Sequence, residues 1–207
     1  QGISFGNFLI KQVVEELVRE LPSLKTFVTL SPVPNFARWL DRTLGDDREN
    51  VLIDEDRTVL ATLRDPEWYE QHGNDEALKS TVLGLAAHYF IRAKSEQNKP
   101  VDPVARFHLG NGAKLQRINW LGDASDKGLR QAHGLMVNYT YDVKNIERNH
   151  EAYENEGQIS ASRAVRAYLK PLKKGGVEPG KVLMLPNVRR QMDEGDEPPP
   201  SETSEKA

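Results

Sequence analysis

Residues 8–21, FLIKQVVEELVREL, set apolar side chains at Ile10, Val13, Val14, Leu17, Val18 and Leu21. That spacing draws one face of an α-helix, and Pro22 ends it. The next apolar run, LKTFVTL at 24–30, is short, β-branched and aromatic, and predicts a strand. It stops at SPVPNF, where two prolines force an extended turn. Asn35 is then placed to cap a helix through Phe36, Trp39, Leu40 and Leu44, closed by Gly45. Residues 46–74 are charged and hold no strong period. DEALKSTVLGLAAHYFIRAK at 75–94 carries apolar side chains at 78, 82, 83, 85, 86, 89 and 90 and predicts a second long helix.

The stretch 102–142 mixes aromatics, glycines and asparagines and reads as strands joined by loops. Val104–Phe107 is expected as one strand, and LMVNYTY at 135–141 is the clearest. Tyr139 and Tyr141 are expected on opposite sides of that strand, one packing and one facing a pocket. Residues 159–172 read as a helix. From Asp193 the chain runs DEGDEPPPSETSEKA, acidic and proline-rich with no apolar anchor, and is expected to be disordered. The order helix, strand, helix, helix, strands predicts an α/β or α+β layered domain over 1–192, followed by a tail at 193–207.

Composition narrows what such a domain does. With 207 residues, 38% of them hydrophobic and 29% charged, the chain is sized for one globular domain with its own core. No stretch approaches the roughly 20 apolar residues that span a bilayer, and no secretory leader is read at the N-terminus. A net charge of -3, with lysine and arginine scattered among acids, speaks against a nucleic-acid partner. The chain has no cysteine, which excludes disulfides, thiolate metal ligands and a cysteine nucleophile and is compatible with a reducing compartment.

Three places carry candidate chemistry. The lead-in QGISFGN offers Gly2 and Gly6 for close backbone approach and Asn7 as a cap, where a helix N-terminus can hold an anion. A plain capped helix is the simpler reading of that loose pattern, and a phosphate loop of this kind would need a strand upstream of Gln1. Ser31, in TLSPVP, ends a strand and is fixed by Pro32 and Pro34, where a sheet edge meets ligand; a turn serine capping local backbone is the alternative. His108, in FHLGNGA, falls between the expected strand and a tight turn carrying Asn111 and Gly112, so a titratable imidazole stands on a rigid edge. A histidine bonded within the turn is the commoner case. Of the other histidines, His88 reads as structural, His72 and His150 as solvated, and His133 is left unassigned. No HxxxH, HExxH or carboxylate cluster calls for a metal.

Four blocks together resemble a known family. QGISFGNFLIKQVVEEL, TFVTLSPVPNFARWL, DPVARFHLGNGAKLQRINWLGDASDKG and GLMVNYTYD resemble, in order, the catalytic domain of the malonyl-CoA decarboxylases. LSPxPxF and FHLxNGA are the specific motifs. The resemblance implies a GNAT acyltransferase-like fold, a mixed sheet flanked by helices, whose first strands and helical N-terminal domain would precede Gln1. It implies decarboxylation of malonyl-CoA to acetyl-CoA and CO2, with no cofactor, since coenzyme A is part of the substrate. Gln1, Gly2, Ile3, Ser4, Phe5, Gly6 and Asn7 would contact malonyl-CoA. Ser31 and His108 would be the catalytic pair and would also touch substrate, and Tyr141 would match the active-site tyrosine. The expected partners are malonyl-CoA, the N-terminal part of the same enzyme and further copies of itself, with no nucleic acid and no membrane. The ending Glu-Lys-Ala, in place of a peroxisomal Ser-Lys-Leu, suggests the cytoplasm. An acyl-CoA-dependent N-acetyltransferase of the same fold and a non-catalytic CoA-binding module are the competing readings.

Overall fold

Helix α1 (Phe5–Glu20) and strand β1 (Phe27–Pro32) follow the periods of their sequences. Helices α2 (Phe36–Gly45), α3 (Asp54–Leu60) and α4 (Trp68–His72), with a 3-10 turn at Ala61–Arg64, lead into α5 (Glu76–Ile91). Then come α6 (Pro103–Gly110), β2 (Lys114–Asn119), α7 (Asp126–Ala132), β3 (Met136–Tyr141), α8 (Ile146–Glu156) and α9 (Arg163–Ala167). This is a computed structural model, and it describes residues 5–46 and 50–169, with side chains from Ile10 onward.

The core is organised around α5. Asp75 starts this helix by accepting hydrogen bonds from the backbone N–H groups of Ala77 at 2.8 Å and Leu78 at 3.2 Å. From Thr81 to Phe90 every residue is buried, so α5 packs all round rather than along one stripe. Phe36 and Trp39 of α2 lie against Tyr89, with ring centroids 5.5 and 5.2 Å away. His88 is buried in the same cluster, stacked on Trp39, as the structural reading of it expects.

The strands form one sheet in the order β1-β3-β2, antiparallel at both junctions. Phe27 stands opposite Tyr141 and Ser31 opposite Val137; on the other side Leu115 pairs with Tyr139 and Ile118 with Val137, around a bulge between Leu115 and Arg117. The outer edge of β2 is covered by residues 159–162 in a single parallel bridge, with Leu115 N–H donating to the Ser160 carbonyl and Ser162 N–H to that of Leu115, both at 2.9 Å. Helices α5 and α6 both pack on β2.

Several expectations are corrected. The stretch 102–142 alternates helix and strand, and Val104–Phe107 lies inside α6. The helix start was present in the residues: Asp102 accepts from Ala105 N–H at 2.8 Å, and Pro103 occupies the first turn. The charged segment 46–74 contains α3 and α4, held by the buried anchors Leu60 and Trp68, too few apolar positions to draw a period. Polar α8 escaped for the same reason, anchored at Ile146 and Tyr153. Residues 159–162 are extended, and the described helix there is α9 alone. Asn7 lies within α1 and so does not cap it. Tyr139 and Tyr141 share the buried face of β3, because residues two apart in a strand point the same way. Residues 1–4 and the acidic tail lie outside the described residues.

Candidate active site

The buried face of the sheet meets the last turn of α6 at one imidazole. His108 is 7% exposed, and both ring nitrogens face hydroxyls. Its Nε2 lies 3.0 Å from Ser31 Oγ and its Nδ1 lies 2.7 Å from the Tyr141 hydroxyl. Ser31 Oγ donates in turn to Thr29 Oγ1 at 3.2 Å. The sheet explains why these groups meet. Thr29 and Ser31 are two apart on β1, Tyr141 is on β3 beside them, and the antiparallel register sets all three on the same face.

Helix α6 aims the imidazole at that face. Asp102, fully buried, caps the helix with Oδ1 and accepts the Tyr89 hydroxyl on Oδ2 at 3.0 Å, so the start of α6 is tied to α5. At the other end the chain turns through Asn111 and Gly112 into β2, as the sequence reading anticipated. Gly112 has φ +76, and a Cβ there would stand 2.1 Å from the Ile146 carbonyl oxygen. Only glycine serves at that position. His150 Nδ1 also approaches the Gly110 carbonyl, at 2.6 Å.

Burial governs the electrostatics. Removal from water pushes the His108 imidazole down to about 4, so it is neutral at physiological pH. The same cause pushes the Tyr141 phenol above its ordinary range. Burial raises Asp102 as well, and its backbone N–H donors and Tyr89 offset only part of that shift. A neutral imidazole carries one proton and one lone pair. With Ser31 donating to Thr29, the imidazole proton sits on Nε2 and Tyr141 donates to Nδ1. A neutral imidazole between two hydroxyls donates through one nitrogen and accepts through the other, and the opposite tautomer, with the hydroxyls turned, reverses both bonds.

Of the residues expected at the site, the structure brings together Ser31, His108 and Tyr141. Ser31 lies near the end of β1, as expected. Gln1, Gly2, Ile3 and Ser4 lie outside the described residues, while Phe5, Gly6 and Asn7 form the first turn of α1. Sequence reasoning missed Thr29, Tyr139, Asp102 and Tyr89. The period-two rule applied from Ser31 and Tyr141 would have found the first two. Among the described residues no cluster of three or more histidine, aspartate or glutamate side chains gathers to hold a metal. Nor is any helix among them long and apolar enough to cross a membrane.

Ser31, His108 and Tyr141 thus form a hydrogen-bonded chain buried between a sheet and a helix end, a geometry suited to acid–base chemistry away from water. Comparison with known proteins places the chain in a family. The malonyl-CoA decarboxylase C-terminal domain matches residues 1–178. A mitochondrial malonyl-CoA decarboxylase from Anser anser anser is 35% identical over 187 residues, covering 82% of this chain and 37% of the relative. The crystal structure of malonyl-CoA decarboxylase from Rhodopseudomonas palustris superposes with TM-score 0.77 at 56% identity, over 82% of this chain and 39% of that one. That from Agrobacterium vitis gives 0.77 and 56%, over 83% and 42%. The chain belongs to the malonyl-CoA decarboxylase family. It spans little more than a third of the length of the curated relatives it matches, 37% in each of three.

Proposed function

We propose that this chain is the catalytic part of an enzyme that converts malonyl-CoA to acetyl-CoA and CO2. The observation that carries the proposal is the buried Ser31–His108–Tyr141 chain in a member of this family. Breaking the bond between C2 and the carboxylate carbon releases CO2 and leaves an electron pair on C2, delocalised onto the thioester oxygen as an enolate. A new C2–H bond then completes acetyl-CoA, so each turnover consumes one proton. The thioester is the electron sink, and the protein's tasks are to hold the carboxylate out of the thioester plane, to meet the enolate oxygen with donors and to deliver the proton.

Ser31 hydrogen-bonds the malonyl carboxylate or relays the proton. His108 stabilises the enolate through its N–H and supplies the proton to C2, directly or through Ser31 or water. Tyr141, donating to Nδ1, stabilises the imidazole as it gives up its proton, which solvent then replaces. The neutral state of His108 supports this division, because a cationic imidazole would pair with the substrate carboxylate and hold it back. Residues 1–7 contact the CoA moiety; they lead into and begin a 16-residue helix whose N-terminal N–H groups suit an anion.

Residues 1–192 act as the catalytic unit, together with the N-terminal part of the same enzyme and further copies of it. A cytoplasmic location is compatible with a chain that has no cysteine. No cofactor takes part beyond the coenzyme A of the substrate. The test supplies malonyl-CoA to the full-length protein with no acyl acceptor present. Stoichiometric acetyl-CoA and CO2 are the expected products. Binding without turnover, or turnover only when an amine is added, would replace this reading with the CoA-binding module or the acetyltransferase.

A further inference from the structure

We propose that Tyr139 is a positioning residue for His108: its ring is the platform that sets the plane of the imidazole and keeps one face of it dry. The proposal rests on the decarboxylase reading for its kinetic consequences, but not for its geometry.

Tyr139 lies on β3, the central strand, and is fully buried. Its ring stacks on the imidazole with centroids 4.3 Å apart and planes 18° from parallel. The two nitrogens of His108 lie in that plane, one toward β1 and one toward the end of β3. An imidazole has a single plane, so a tilt that helps one hydrogen bond spoils the other. Two hydroxyls on two strands define a line through the ring, and a flat surface beneath removes the remaining rotation about that line. Among the described residues no other ring does this. Phe107 and Tyr141 both meet His108 edge-on, with planes at 77° and 61°.

The hydroxyl of Tyr139 sharpens the point. It is buried and has no hydrogen-bond partner among the described residues. What Tyr139 presents to His108 is therefore its ring. Burial and the Asp102 carboxylate hold this phenol in its neutral form, so it adds no charge beneath the imidazole. The groups that face His108 are thus the Ser31 hydroxyl from β1 and the Tyr139 and Tyr141 phenols from β3. Asp102 acts from beyond Tyr139 at the start of α6. His150 and Glu154, on α8, meet Gly110 two residues further on.

The test uses full-length protein with ¹³C-labelled histidine, the His108 signal being identified by its loss in His108→Gln. In the wild type the His108 Cε1–H resonance is expected upfield of an ordinary histidine, because it lies over an aromatic face, and its titration midpoint well below the usual 6.5. Tyr139→Leu should abolish the ring-current shift, move the midpoint toward 6.5 and lower kcat by about 100-fold while KM changes little. Tyr139→Phe should restore both the midpoint and kcat. A wild-type resonance without the upfield shift would overturn the proposal even if Tyr139→Leu fails to fold. So would a folded Tyr139→Leu with unchanged midpoint and kcat, or a Tyr139→Phe as impaired as Tyr139→Leu. A wild type that shows the shift but releases no CO2 would overturn the decarboxylase reading and leave the platform standing.

Discussion

The two faces of the sheet are built from the same three strands and have opposite characters. On one face Ser31, Val137, Tyr139 and Tyr141 are buried beside the half-buried Thr29, and Ser31, Tyr139 and Tyr141 meet His108. On the other, Val28 and Leu30 of β1 are 53% and 59% exposed, beside the half-buried Met136, Asn138 and Thr140 of β3. Alternation alone separates them, since each residue of one set has its chain neighbours in the other. The difference shows what burial contributes. Hydroxyls occur on both faces, but only where a helix end excludes water do they become a connected chain with a displaced imidazole titration.

The largest effect expected from this contrast is on turnover. His108→Gln keeps the size and polarity of the side chain but removes the titratable ring. It should lower kcat for malonyl-CoA by about 10²–10⁴-fold with KM within a few-fold, measured as acetyl-CoA released by full-length enzyme. Leu30→Ser, on the open face, should leave kcat within about twofold, as surface substitutions usually do. Equal losses in the two variants would mean that the site is not where the chain Ser31–His108–Tyr141 places it.

How much of this was legible in the residues divides along the same lines. Periodicity located α1, β1, α2, α5 and β3, because each has enough apolar side chains to repeat. It failed for α3, α4 and α8, where two or fewer large anchors hold a polar helix to the core, and such sparse packing is decided by tertiary contact. It also misread α6, although Asp102-Pro103 is a helix start, because V-A-R-F-H-L alternates like a strand. His108 was therefore singled out for its turn and its motif, while its true support, the end of a capped helix, was not seen. Ser31 and His108 lie 77 positions apart, and only the sheet register and the aim of α6 show that they touch. The resemblance to the family named the partners; the distances could not be read from the chain.

A second, smaller effect concerns acid stability. The folded protein holds His108 neutral down to about pH 4, whereas the unfolded chain takes up a proton below about 6.5. Stability contributed by the neutral imidazole is therefore complete above that value and lost as pH falls from about 6.5 to about 4, by about 3 kcal/mol in all. His133, lowered by burial, adds a loss of the same sign. Asp102, raised by burial, has the opposite sign and gains stability as it is protonated. The difference between wild type and His108→Gln isolates one group. Thermal midpoints of the two, followed from pH 7 to pH 4, should converge or cross as the wild type loses its margin. Parallel curves would show that His108 is not dry.

The smallest effect is the most local and compares neighbouring residues of β3. Tyr141→Phe removes the hydroxyl 2.7 Å from His108 Nδ1 and keeps the buried ring, so packing should be preserved. Losing one hydrogen bond of ordinary strength costs about 1 kcal/mol. If that bond tightens as the imidazole gives up its proton, the cost falls on the transition state and kcat drops about fivefold with KM unchanged. Thr140→Val removes the hydroxyl of the adjacent residue, which points to the other side of the strand and has no hydrogen-bond partner among the described residues. It should leave kcat unchanged and cost no stability, because no bond is lost. A fall in KM rather than kcat for Tyr141→Phe would assign the hydroxyl to substrate binding. No change in either would reduce Tyr141 to packing and shorten the chain to Ser31 and His108, with the Nδ1 proton supplied from elsewhere.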